Sequence, residues 1–274
     1  MQMLFENGKK KALTFSYDDG VAHDVRLARI FTKYGMKATF NLNSAVIIDS
    51  DEVREAPEGH LTWGELKKYI TGAGHEAAVH TLTHPWIESL SLQDALYEII
   101  EDRRNIEKNL KCIVRGMAYP FGCYSDTTLE AMRAAGIAYS RTTKATHGFE
   151  LPDEPLTLHP TCHHNDAELF NIADEFLSDR RNWGQPRMLY VWGHSYEFPR
   201  DNNWERIEEL CEKLAGKEDI WYATNIEIID YMKAYNSLQV SYDKKMVYNP
   251  SAQPIWFGEN GVHCVNPGET IVIE

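Results

Sequence analysis

From Lys11 to Asn236 the chain repeats one pattern, a short apolar run followed by a longer amphipathic stretch. The runs that read as strands are Ala12–Ser16, Lys37–Leu42, His75–Val79, Val114–Ala118, Ile137–Ser140, Leu156–Thr161, Met188–Trp192 and Ile220–Ala223. The stretches between them read as helices. Thr62-Trp63-Gly64-Glu65 and Thr224-Asn225-Ile226-Glu227 are capping boxes, and Ser91 opens a helix with Leu92, Leu96, Ile99, Ile100 and Ile106 on one broad face. Further helices are expected over Val21–Lys33, Asp126–Ala135, Asp166–Leu177 and Asn203–Leu214. Parallel strands cannot be joined by a tight hairpin, so strands alternating with helices imply a parallel sheet. Seven or eight such units predict a closed or nearly closed β/α barrel of the α/β class.

No repeat or low-complexity linker interrupts this pattern. Residues 1–236 are therefore expected to form one barrel domain. Residues 237–274, rich in Val, Ile and Tyr and punctuated by Asn-Pro and Gly turns, are expected to form a β-rich extension packed on it. A chain of 274 residues buries enough surface to dispense with disulfides. Its five dispersed cysteines read as free thiols of a reducing compartment. The segment Met1–Lys11 is too short and polar for a signal peptide, and no apolar stretch approaches the roughly 20 residues that span a bilayer. A cytoplasmic location is the expectation. The net charge of -13 opposes binding to nucleic acid or an anionic membrane.

Barrels of parallel strands place their chemistry at the strands' C-terminal ends. Four segments there carry suitable groups. Ser16-Tyr17-Asp18-Asp19-Gly20 sets two adjacent carboxylates at a strand end, where their repulsion favours a nearby cation. Alone, Asp-Asp-Gly also suits an ordinary turn. His80-Thr81-Leu82-Thr83-His84-Pro85 places two histidines four apart, able to face one metal from a helical turn. Either histidine singly would more often be structural. Tyr119-Pro120-Phe121-Gly122 is a stiff turn that can aim a backbone N–H into a pocket. Trp192-Gly193-His194-Ser195-Tyr196 supplies a late histidine suited to proton transfer near neutral pH. The trio His159, His163 and His164 ends another run and reads as pocket lining rather than a second metal site, and His75, at the start of its strand, reads as structural.

Together and in this order, the four segments resemble the polysaccharide deacetylase family, with its NodB homology domain of the carbohydrate esterase family 4 type, over roughly residues 10 to 236. The resemblance implies a distorted (β/α)7-8 barrel and a hydrolase acting on non-peptide C–N bonds, which removes an acetyl group from an N- or O-acetylated carbohydrate. It implies one divalent transition metal, zinc foremost, held by Asp19, His80 and His84. Asp18 matches the catalytic base and His194 the general acid. The Phe121 N–H matches an oxyanion donor, and Tyr119, Trp192 and Tyr196 are expected beside the substrate. The chain departs from the family at its third motif, where Ala118-Tyr119-Pro120-Phe121 lacks an arginine that braces the base. Arg141 is the expected substitute. The family's Asp-Trp motif, which orients the late histidine, has no counterpart, so the partner of His194 stays open. Two other readings keep the scaffold: hydrolysis of a small or cyclic amide, and a catalytically inactive carbohydrate-binding barrel. A glycoside hydrolase using Asp18 and Asp19 as its pair is disfavoured, because adjacent residues do not readily flank a glycosidic bond at roughly 5 Å or more. The oligomeric state is left open.

Overall fold

The computed structural model describes residues 1–178 and 185–273. In chain order its main elements are β1 (Gln2–Leu4), β2 (Lys11–Asp18), α1 (Asp24–Lys33), β3 (Thr39–Leu42), α2 (Trp63–Tyr69), β4 (Glu76–Val79), α3 (Leu92–Leu110), β5 (Gly116–Ala118), α4 (Asp126–Ala134) and β6 (Tyr139–Arg141). They continue with β7 (Cys162–His163), α5 (Leu169–Leu177), β8 (Arg187–Gly193), α6 (Glu197–Asp201), α7 (Trp204–Leu214), β9 (Ile220–Tyr222) and α8 (Asn225–Asn236). Five short strands follow: β10 (Gln239–Val240), β11 (Met246–Tyr248), β12 (Ile255–Gly258), β13 (Val262–Val265) and β14 (Thr270–Val272).

The barrel sheet runs β6-β5-β4-β3-β2-β8-β7, and every pairing in it is parallel. β2 is its centre. Along one edge β2 takes β8, and along the other it takes β9 near its start and β3 near its end. All eight residues of β2 are buried, as befits a strand covered on both faces. The sheet curls until the segment entering β7 meets β6 at one parallel bridge, Arg141–Leu158, giving the distorted barrel that the alternation predicts.

Both capping boxes are present: the Thr62 and Thr224 hydroxyls accept the Glu65 and Glu227 N–H groups, and each glutamate reaches back. Such caps are worth about 1 kcal/mol each. Two expectations need correction. The run Leu156–Thr161 is not a strand: Pro155–Thr157 forms a 3-10 turn, only Leu158 bridges to β6, and the strand proper begins at Cys162. Pro160, lacking an N–H, cannot serve a ladder at its position. The buried stripe of α3 is narrower than expected, running Ala95, Ile99, Asp102, Ile106, Leu110, while Ile100 faces solvent.

The C-terminal strands form two antiparallel sheets, β10-β11-β14 and β1-β12-β13. Val247, Ile255, Phe257, Val265 and Ile273 pack with Met3 and Phe5 against Tyr231 and Ile228 of α8. The same cluster takes in Ala12 and Met188, near the starts of β2 and β8.

Candidate active site

Asp18 is the last residue of β2 and is 2% exposed. Its Oδ2 lies 2.5 Å from the Arg141 guanidinium, and its Oδ1 accepts the Asn41 side-chain N–H at 2.8 Å. Burial pushes the Asp18 carboxyl upward, but Arg141, His80, His194 and Asn41 outweigh it and hold the group below the usual range. Asp19 leaves the strand with φ 81, a left-handed backbone that aspartate tolerates better than most residues. The two carboxylates thereby part, one toward Arg141 and the other toward two imidazoles. That is how the adjacent charges coexist.

His80 and His84 do converge on Asp19, though not from a helical turn. Thr81 and His84 are left-handed (φ 65 and 59), and the segment is an irregular loop. His80 Nε2 lies 3.7 Å, and His84 Nε2 4.0 Å, from Asp19 Oδ1. The three ligand atoms lie within 4.8 Å of one another. His80 is 1% exposed, and its Nδ1 donates to the Ala118 carbonyl at 2.8 Å. That bond fixes the tautomer, leaving Nε2 a bare lone pair that is buried without a hydrogen-bond partner. Burial also holds His80 below its ordinary pKa, in the neutral form that binds metals. An orphaned nitrogen beside a second imidazole and a carboxylate fits a divalent transition metal, and zinc commonly takes this donor set.

His194 follows β8 on the same rim, its Nε2 3.7 Å from Asp18 Oδ2. Its partner is Glu197, which sequence reasoning missed. His194 Nδ1 lies 3.6 Å from Glu197 Oε1, a charge contact longer than a hydrogen bond, while the His194 N–H donates to Oε2 at 3.3 Å. The spacing of three residues in His194-Ser195-Tyr196-Glu197 was the available signal. Burial lowers the His194 pKa, yet Glu197, Asp18 and Asp19 outweigh it and the net direction is upward. Glu197 Oε2 also meets His163 Nε2 at 3.0 Å and His164 Nε2 at 3.2 Å. Burial works against the Glu197 charge, but the three imidazoles hold its pKa far below normal.

His163, His164 and Glu197 superficially make a second set of metal ligands. The tautomer argues otherwise. His163 Nδ1 accepts the Asn165 N–H at 3.1 Å, so the ring proton sits on Nε2 and points to Glu197 as a donor. His164 is wedged between the rings of Tyr17 and Phe198, and its Nδ1 fills the space where a side chain on Gly193 would begin, 2.0 Å from an ideal Cβ. Residue 193 must therefore be glycine for this cluster to close.

The Phe121 backbone is left-handed (φ 58), and no hydrogen bond from its N–H to the protein occurs among the described residues. Its ring stacks on Trp86 at 3.8 Å and meets the edge of His84 at 4.7 Å. Arg141 lies over Trp192 at 4.3 Å, and Tyr196 tilts against His194 at 5.1 Å. Tyr119 stands apart from the others. It is fully buried, its hydroxyl donates to the Leu156 carbonyl, and its ring packs on Tyr124 beneath the loop. His75 is buried on the far side, where Nδ1 accepts the Ala38 N–H.

The model of the polysaccharide deacetylase family matches residues 5–140, a span that includes Asp18, Asp19, His80, His84 and Phe121 and ends one residue before Arg141. A chitooligosaccharide deacetylase of Sinorhizobium fredii is 32% identical over 75 residues, covering 27% of this chain and 35% of the relative. The chain thus matches about a third of that curated relative's length. Among solved structures, a Mycobacterium smegmatis protein provisionally assigned as a polysaccharide deacetylase aligns with TM-score 0.62 at 15% identity, over 86% of this chain and 95% of that one. A carbohydrate esterase family 4 pseudoenzyme of Bacillus anthracis aligns with TM-score 0.50 at 18% identity, over 84% of this chain and 68% of that one. At those identities the two structures speak for the fold alone. No helix among the described residues is long and apolar enough to cross a membrane.

Proposed function

The chain belongs to the polysaccharide deacetylase family, and from that premise we propose that it is a metal-dependent hydrolase removing an acetyl group from an N- or O-acetylated carbohydrate. The observation that carries the proposal is the bare, buried Nε2 of His80 facing Asp19 and His84, with Asp18 and His194 alongside. A divalent transition metal, zinc foremost, would be held by Asp19, His80 and His84. Bound there, it would supply Lewis acidity toward the acyl oxygen and make water more acidic.

The chain's own groups would do the rest. Asp18, kept ionised by Arg141, accepts a proton from the water that attacks the acyl carbon. The Phe121 N–H, which has no protein acceptor among the described residues, donates to the oxyanion that develops as the carbonyl becomes tetrahedral. His194, whose protonated form Glu197 and Asp18 favour, gives its proton to the departing nitrogen or oxygen, so acetate and the deacetylated sugar leave as separate products. Trp192 and Tyr196 flank this space and are proposed substrate contacts. We further treat residues 237–274 as an extension that supports the barrel and stays outside the chemistry.

The test is acetate release from N-acetylglucosamine oligomers by zinc-loaded protein. Replacing His194 with Ala should cut turnover by about 10² to 10⁴ and leave zinc content unchanged. Oligomer binding without acetate release would favour an inactive carbohydrate-binding barrel. Release from small amides alone would move the substrate class to those compounds.

A further inference from the structure

Among the apolar residues that α3 buries stands one carboxyl group. Asp102 is 0% exposed, and no Lys, Arg or His side chain forms an ion pair with it among the described residues. Burying a carboxyl without a counter-cation is costly, and mere packing would be better served by an apolar side chain. Both oxygens are instead spent on backbone. Oδ1 accepts the Ser44 N–H at 2.7 Å, and Oδ2 accepts the His80 N–H at 3.1 Å.

One turn earlier on the same helix, Glu98 grips the same loop three times. Its carbonyl accepts the Leu82 N–H at 3.1 Å, Oε2 accepts the Thr83 N–H at 2.9 Å, and Oε1 accepts the Thr83 hydroxyl at 2.8 Å. From the opposite side the Asn43 amide donates to the His80 carbonyl at 2.5 Å and the Thr81 carbonyl at 2.9 Å. The segment so held contains two of the chain's left-handed residues, and one of them, Thr81, is β-branched. A branched side chain at positive φ persists only where its surroundings over-determine it. Here the over-determination comes from Asn43 on one side and, on the other, from two side chains four residues apart on α3, the spacing that puts both on one helix face.

We propose that Glu98 and Asp102 are positioning residues, an acidic clamp by which α3 forces residues 80–84 into the left-handed turns that aim both imidazoles at Asp19. The clamp touches neither substrate nor metal. The inference rests on reading Asp19, His80 and His84 as the metal ligands, and it deepens that reading by naming what pre-forms the site.

The experiment uses the full chain stripped of metal and titrated with zinc by calorimetry, as wild type, D102N, E98Q and I106V. Ile106 is buried on the same stripe of α3 one turn further on, so I106V reports ordinary damage to the helix. D102N should weaken zinc binding about 10- to 100-fold, the usual cost of losing a partner that orients a ligand. E98Q should weaken it severalfold, and I106V should match wild type. In parallel, backbone hydrogen exchange of the metal-free proteins should quicken over residues 79–84 in D102N and E98Q and stay unchanged there in I106V. Wild-type zinc affinity and wild-type exchange in E98Q and D102N would overturn the clamp, as would an equal loss of affinity in I106V. Should D102N fail to fold, E98Q, at a half-buried position, decides alone. If wild type takes up no zinc, the metal reading fails, and the exchange measurement still judges the clamp.

Discussion

Replacing Arg141 with Met tests the electrostatics on which Asp18 depends. Arg141 is 1% exposed, and its guanidinium lies 2.5 Å from a carboxylate that is itself 2% exposed. Removing one partner of a buried pair costs about 3–5 kcal/mol, because the other charge is left without its counter-ion. Asn41 still donates to Asp18 at 2.8 Å, and His80 and His194 still face it, which favours the lower end of that range. The upper end is capped. An ordinary aspartate can be neutralised at pH 7 for about 4 kcal/mol, so Asp18 would take up a proton before paying more. The expected loss is therefore about 3–4 kcal/mol. At roughly 2–4 °C per kcal/mol for a chain of this size, Tm should fall by about 6–16 °C. Urea unfolding and calorimetry of metal-free R141M beside wild type measure both quantities. A loss below about 1 kcal/mol would mean that Asp18 does not depend on Arg141 for its charge.

Other perturbations test neighbouring parts of the account. Glu197 helps hold the His194 pKa up, so E197Q should lower it; a general acid works only while protonated, and the alkaline limb of the activity–pH profile should move to lower pH, with an unmoved limb counting against Glu197. Burial depresses His75 to about 4, below the roughly 6.5 of the unfolded chain. The unfolded state therefore binds the extra proton between those values, and stability should rise as pH increases from about 4 to 6.5 and be lost on acidification through that window. At 1.36 kcal/mol per unit the effect is at most about 3 kcal/mol, and in H75Q, followed by urea unfolding at pH 5 and 7, the slope should flatten.

The barrel was legible because its grammar is local. Apolar runs such as Ala12–Ser16, capping boxes at Thr62 and Thr224, and the placement of unusual polar residues after strands follow from short-range patterning. Arg141 was legible by position, since it ends β6 and so points toward the rim that Asp18 occupies. What escaped was set by contacts between distant segments. The loop from His80 to His84 takes left-handed turns because α3 and Asn43 grip its backbone, and spacing alone suggested a helical turn instead. Asp102 sat in register with Ala95, Ile99 and Ile106, so a charged residue on that stripe was a signal available in the sequence. Glu197 was nearer still, but its importance depends on His163 and His164 arriving from β7 and the turn after it. Leu156–Thr161 misled because composition favoured a strand where Pro160 denies the ladder a donor.

Diffraction at the zinc absorption edge from crystals soaked in zinc shows whether Asp19, His80 and His84 hold one metal ion. One anomalous peak is expected at about 2.0–2.2 Å from Asp19 Oδ1, His80 Nε2 and His84 Nε2 together. An empty map at that position, or a peak among His163, His164 and Glu197 in its place, would contradict it.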